Sequence, residues 1–346
     1  MATSGRGTRS AGEAGAGPRP AALQAPRCAR FEAPTVSRRA ADGAILAVAT
    51  GVSDVADSCH RRRLSMPNDF NQQIIDEFRA NAGRVGGPFE GARLILLTTT
   101  GARTGAGHTT PVAYLPDGGQ RILVIASAAG AERHPQWYRN LVADPQVTVE
   151  DGTFTYSARA EVLTGDERDR LFGRAAQDDP GWADYQAKTS RVIPVVALYE
   201  QAGGPPDAPS WGAALKMIHD AFRRELALIR AEVDRSGPAL GAQLRVNCLT
   251  VCAGLHGHHS NEDAGMFAGI GAQRPDLAPV LDRLREEHQR VAELLGELQQ
   301  TLTADGADRE QVREQVREQV GRLVAELEAH LAYEEEQLIP VLDGVG

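Results

Sequence analysis

His256-Gly257-His258-His259-Ser260-Asn261-Glu262 puts a histidine and a carboxylate four residues apart, and His330-Leu331-Ala332-Tyr333-Glu334 repeats that spacing near the end of the chain. An apolar pair follows four residues after each carboxylate, Met266-Phe267 and then Leu338-Ile339. Residues i and i+4 share one face of an α-helix, so each segment presents an imidazole and a carboxylate to a single point. That is metal-ligand geometry, and it occurs twice.

Working outward, four apolar stripes at helical spacing fill the second half of the chain. Leu215, Ile218, His219, Phe222, Leu226, Ile229 and Val233 make the first; Leu244, Cys248, Val251, Leu255, His258 and Glu262 the second. Leu277, Leu281, Leu284, His288, Val291, Leu295 and Leu298 make the third, and Val316, Val320, Leu323, Leu327, His330, Glu334 and Leu338 the fourth. Four amphipathic helices with short connections predict an all-α four-helix bundle over residues 213–346. Each stripe carries one histidine, His219, His258, His288 and His330. Imidazoles and carboxylates in a bundle core are costly unless something pairs them. A lone core histidine is ordinarily a hydrogen-bonded structural residue, but four of them with Glu262 and Glu334 point to metal. Nitrogen and oxygen ligands without cysteine suit iron or manganese, and two carboxylates able to bridge suit a two-metal centre. His259 with Asp263 has the same spacing but sits one residue off the stripe, and His256 reads as a solvent or outer residue.

The 346-residue chain is long enough for two cores, and Gln201 to Pro209 reads as a linker within residues 201–212. The net charge of -9 argues against a nucleic-acid binder, and no apolar run is long enough to span a membrane. Cys28, Cys59, Cys248 and Cys252 form no zinc or disulfide framework, so a reducing cytoplasm is the expected compartment. Residues 1–65 carry a charge of +5, from ten arginines against five acids, and lack sustained periodicity. They read as a disordered tail or a mis-assigned start before Met66-Pro67-Asn68.

Over residues 66–200 the pattern Phe70, Ile74, Ile75, Phe78 predicts one helix, followed by strands at 94–100, 109–115, 121–126, 147–150, 153–162 and 192–199. Short helices are expected at 135–141 and 166–176. Many short strands with few helices predict a small antiparallel β-barrel. The loop Gly101-Ala102-Arg103-Thr104-Gly105-Ala106-Gly107-His108 joins two of these strands, and its glycines would let backbone amides approach an anion. A solvated hairpin is the equally weighted structural reading, and Trp137 and Tyr138 read as packing between helix and barrel.

Two resemblances follow. Residues 213–342, with their paired His-x-x-x-Glu motifs, resemble the hemerythrin-like (HHE cation-binding) family, whose bundle carries a non-haem di-iron site. That resemblance implies His219, His258, Glu262, His288, His330 and Glu334 as ligands of two iron ions. Oxygen-carrying members have a second histidine four residues after the one on the third helix, where this chain has Ala292. Fewer nitrogens would favour redox, peroxide or nitric oxide chemistry over oxygen carriage. Residues 66–200 resemble the deazaflavin-dependent nitroreductase family, a split β-barrel that binds coenzyme F-420. The residues carrying it are Thr98 to Gly101, Arg103-Thr104-Gly105, Pro111, His134-Pro135, Trp137-Tyr138, Asn140-Leu141, Pro180 to Gln186 and Arg191 to Val196. The resemblance implies Arg103, Thr104 and His108 on the coenzyme's phosphate tail, and Ser127, Trp137 and Asn140 along the deazaflavin. It also implies Trp182 and Tyr185 walling the substrate pocket over the ring, and Tyr185 is the candidate proton donor for the reaction expected below. Ala102 and His108 stand where many members have basic residues.

The leading expectation is a reductase moving hydride from reduced deazaflavin to a quinone or nitroaromatic. FMN is a less favoured cofactor. The competing expectation is an iron, oxygen or nitric oxide sensor in which the barrel is only a binding or homodimerisation platform.

Overall fold

The computed structural model describes residues 67–118, 121–203, 206, 208–237, 239–304 and 309–344. Helix α1 (Pro67–Ala80) precedes strands β1 (Leu94–Thr100), β2 (Gly107–Pro116) and β3 (Arg121–Ile125). Helix α2 (Gln136–Ala143), strands β4 (Gln146–Glu150) and β5 (Thr155–Leu163), helices α3 (Gly165–Asp178) and α4 (Gly181–Ala187), and strand β6 (Val195–Gly203) complete the first half. The strands close into an antiparallel barrel in the order β1-β2-β3-β6-β5-β4. Expected strands and helices recur with shifted ends, while α4 falls on a Gly-Trp-Ala-Asp stretch with no apolar stripe to announce it. The tail expected over residues 1–65 lies outside the described residues.

Alternation along β1 shows how the barrel is built. Ile95 and Leu97 point inward to the core with Val124, Val149 and Leu198, whereas Leu94 and Leu96 point outward beneath Ile74, Ile75 and Phe78 of α1. Helix α3 covers the opposite wall through Leu171, Phe172 and Ala175 on Leu123, Ile125 and Val195. Both faces of these strands are buried, which is why β1 and β3 read as continuous apolar runs. Each wall therefore holds its strand from two sides.

The second half contains α5 (Trp211–Arg235), α6 (Ala242–Asn261), α7 (Phe267–Gln273), α8 (Ala278–Thr303) and α9 (Arg309–Leu342). The four long helices are those expected, and their stripes meet in one core from Phe222 through Leu255 and Leu295 to Leu327. Ser210 caps α5, its hydroxyl accepting from the Ala213 amide. Between α6 and α7 a π-helical turn spans Glu262–Met266, with the Phe267 amide reaching back five residues to the Glu262 carbonyl.

Barrel and bundle are joined by buried polar contacts. Arg93, just before β1, is fully enclosed and pairs with Glu225 and, at 2.9 Å, with Glu232, both on α5. Gln243 of α6 donates to the Pro116 carbonyl at 2.9 Å, and Arg224 donates to the Ala82 carbonyl at 2.7 Å. Phe154 packs against both cores. Burial outweighs Arg93 here, raising Glu225 to about 7 and Glu232 to about 8. A solvent-accessible cleft of about 590 Å³ lies along this junction, lined by both halves of the chain including Arg84, Asp151 and Arg224.

Candidate functional site

Two groups of ligand atoms meet inside the bundle. His259, His288 and His330 form one; His219, His258, Glu262 and Glu334 form the other, and within each group the ligand atoms lie within 4.8 Å of one another. All seven side chains are buried. All six residues expected from the sequence are therefore brought together, and His259 joins them. The Nε2 atoms of His219, His259, His288 and His330 and both oxygens of Glu262 and Glu334 are enclosed without a hydrogen bond. So many orphaned lone pairs converging in one core fit a cation and little else, because each would otherwise cost the loss of its solvation.

The imidazoles are aimed by carboxylates behind them. His219 Nδ1 lies 3.0 Å from Glu335, which also accepts from Arg223 at 2.6 Å. His288 Nδ1 lies 3.0 Å from Asp263, and His330 Nδ1 lies 3.1 Å from Glu287, itself held by Arg283 at 2.8 Å. An Nδ1–H donated outward leaves the Nε2 lone pair facing inward, the tautomer a metal needs. Burial reinforces this by pushing His288 down to about 3 and His330 to about 4, so both rings are neutral donors. The same burial, followed by the charges of Glu335 and Asp263, lifts Glu334 to about 8. Asp263, whose spacing suggested a pair with His259, instead serves His288. Glu287 and Glu335 went unnoticed in the sequence, although each stands directly beside a ligand, before His288 and after Glu334.

A second site occupies the barrel. The glycine loop follows β1 at Thr100, seven residues from Arg93 and so ~23 Å along the strand from the junction with the bundle. A Cβ on Gly101 would lie 2.7 Å from Thr104 Oγ1 and 2.8 Å from His108 Nε2, so two of the three residues expected to bind a phosphate tail converge over this glycine. Arg103 is exposed beside them. Asn140 is wholly buried under the loop: it donates to Thr99 Oγ1 at 3.1 Å, while its Oδ1 accepts from the Ala102 amide at 3.3 Å and Gln136 at 2.8 Å. Its side chain thus latches the loop to α2. Trp137 belongs to the barrel core, in line with its packing role.

The segment after β3 forms the other wall. Ala128 and Ala129 adopt left-handed φ values of 47° and 54°, a strained pair for residues with a Cβ. Arg191 holds this turn by donating to the carbonyls of Ala126 at 3.1 Å, Ser127 at 2.5 Å and Ala131 at 2.7 Å. A Cβ on Gly130 would strike Lys188 and the Tyr185 carbonyl at 2.8 Å, so the turn abuts α4. There Trp182 and Tyr185 stand edge to face, 6.1 Å apart, and Trp182 Nε1 is buried without an acceptor. Ser127, Trp182 and Tyr185 thus gather at one end of the barrel, with the His134 ring tilted against Tyr138 at 4.7 Å nearby. Sequence reasoning gave Arg191 no role; only its many carbonyl contacts disclose it.

Residues 71–200 match the family described as F420H(2)-dependent quinone reductase, and residues 213–342 match the hemerythrin HHE cation binding domain. Among similar proteins, the F420H(2)-dependent quinone reductase Rv1261c of Mycobacterium tuberculosis is 37% identical over 125 residues, covering 35% of this chain and 83% of the relative. Among solved structures, an F420-H2 dependent reductase (FDR-A) is 36% identical with a TM-score of 0.29, covering 31% of this chain and 93% of that one.

Proposed function

The chain belongs to the F420H(2)-dependent quinone reductase family through residues 71–200 and carries a hemerythrin HHE cation-binding domain over residues 213–342, and from that premise we propose that the barrel reduces a quinone with a deazaflavin while the bundle holds two non-haem iron ions. The proposed division is barrel 66–200, linker 201–212 and bundle 213–346; the last barrel strand runs on to Gly203 and the first bundle helix begins at Trp211, so each extends two or three residues into the proposed linker.

When bound, the reduced deazaflavin supplies a hydride, which carries two electrons. The acceptor quinone takes that hydride and one proton and leaves as the quinol. Arg103, Thr104 and His108 hold the anionic tail, and Asn140 keeps their loop at a fixed height. Ser127 and the strained turn would border the ring. Burial, then Asp179 and Asp184, raise the Tyr185 hydroxyl, which keeps its proton available for the quinone oxygen. The convergence of Thr104 and His108 over Gly101 is the observation that carries this reading. Mixing the full chain with reduced deazaflavin and a soluble quinone tests it: saturable coenzyme oxidation is expected, faster than with a nitroaromatic, and oxidation at the background rate overturns it.

Two ions are favoured over one by the placing of the carboxylates. Glu262 Oε1 lies 3.1 Å from His258 Nε2, while its Oε2 lies 3.7 Å from His288 Nε2. Glu334 Oε2 stands 3.4 Å from His219 Nε2 and 3.6 Å from His330 Nε2. Neighbouring donors each ~2.1 Å from an ion lie about 3 Å apart, so both carboxylates sit between the two imidazole groups as bridges would. Metal analysis after anaerobic loading with ferrous iron is expected to give two ions per chain. Iron without deazaflavin binding would instead favour the sensor reading.

A further inference from the structure

We propose that His259 is itself a metal ligand, giving the ion at His288 and His330 a third nitrogen. The two ions are then unlike: three imidazoles serve one, and His219 with His258 serve the other. The inference rests on the metal reading above.

Consider first what else could explain His259. It is buried, its ring lies parallel to that of His288 at 4.2 Å and perpendicular to that of His330 at 5.1 Å, and its Nε2 is enclosed without a hydrogen bond. A structural histidine in a core keeps its place by hydrogen bonding to a carboxylate or a carbonyl. The carboxylates that could do so are occupied elsewhere: Asp263 with His288, Glu287 with His330, Glu335 with His219. A packing role would be filled better by leucine. What remains is the company it keeps, two other imidazoles whose ligand atoms fall with its own inside 4.8 Å.

The helices explain why this nitrogen comes from α6. On α8, Ala292 is exposed one turn beyond His288, so that helix offers the ion a single imidazole. Helix α6 buries adjacent positions in successive turns, Val251 with Cys252, Gly254 with Leu255, and His258 with His259. A helix enclosed over so wide an arc can direct neighbouring residues to two different ions. The π-helical turn begins soon afterwards at Glu262, one of the two carboxylates that lie between both groups.

The test substitutes His259→Leu and compares iron per chain with the unmodified protein after anaerobic loading, alongside the melting temperature of metal-stripped samples. Content is expected to fall from two ions to about one, while the stripped variant melts no lower, because leucine fills the space without an orphaned nitrogen. His259→Gly is expected to regain the lost ion when free imidazole is added. His256→Ala, exposed on the same helix, should change nothing. Equal iron in variant and unmodified protein, with a lower melting point for the stripped variant, overturns the assignment and leaves the metal centre standing. No iron in the unmodified protein overturns the metal reading instead.

Discussion

Single residues around the metal centre make distinct contributions. Glu287 belongs to neither group of candidate ligands, yet it lies against His330 Nδ1 and is held by Arg283. Glu287→Ala is expected to weaken metal affinity ~10–100-fold while leaving quinone reduction intact, measured by chelator competition and by coenzyme oxidation. In the barrel, Gly101→Ala would press a methyl against Thr104 and His108. The KM for deazaflavin should then rise about tenfold, roughly 1.4 kcal/mol, with little change in melting temperature. These roles were unevenly legible. His219, His258, His288 and His330 stood out because histidine on an apolar stripe is anomalous. His259 did not, since the stripe argument assumes one buried position per turn and α6 is enclosed more widely than that. Arg191 entered only as part of the family resemblance, without a role, for another reason: most of its partners are backbone carbonyls, and carbonyls leave no residue-type signal.

At the scale of elements, the barrel depends on a close approach of two backbones. Gly83 and Gly152 both adopt left-handed φ, 88° and 92°, and a Cβ on Gly152 would fall 2.5 Å from the Gly83 Cα. Neither the backbone angle nor the space admits a side chain. Gly152→Ala should cost about 2 kcal/mol or more and lower the melting temperature by several degrees, followed by circular dichroism. Strand positions were readable because β-branched runs ended in turn signals, as at Pro116-Asp117-Gly118. Helix α4 was not readable as a helix, since seven residues with two half-buried aromatics make no stripe.

For the whole molecule, the Arg93 junction ties barrel to bundle and carries a pH signature. Glu225 and Glu232 are raised to about 7 and about 8, with Arg93, Arg224 and Asp178 as the other charges acting on them. Folded carboxyls that hold protons more tightly than unfolded ones contribute stability below the ordinary carboxyl range, and that contribution is lost as pH rises through 7 to 8. The melting temperature should therefore fall between pH 6 and 9, and the fall should shrink in Glu232→Gln. Sequence reasoning located both halves of the chain but not this joint, because Arg93, Glu225 and Glu232 lie far apart in sequence and each reads as an ordinary surface charge. Among the described residues no helix is long and apolar enough to cross a membrane.

The claim that one chain combines a hydride-transferring barrel with a metal-holding bundle is tested most directly by following reduced deazaflavin absorbance after mixing with the iron-loaded full chain and a quinone. The account predicts saturable, quinone-dependent oxidation that Arg103→Ala weakens through KM and that His259→Leu leaves unchanged. Oxidation no faster than the protein-free background would contradict it.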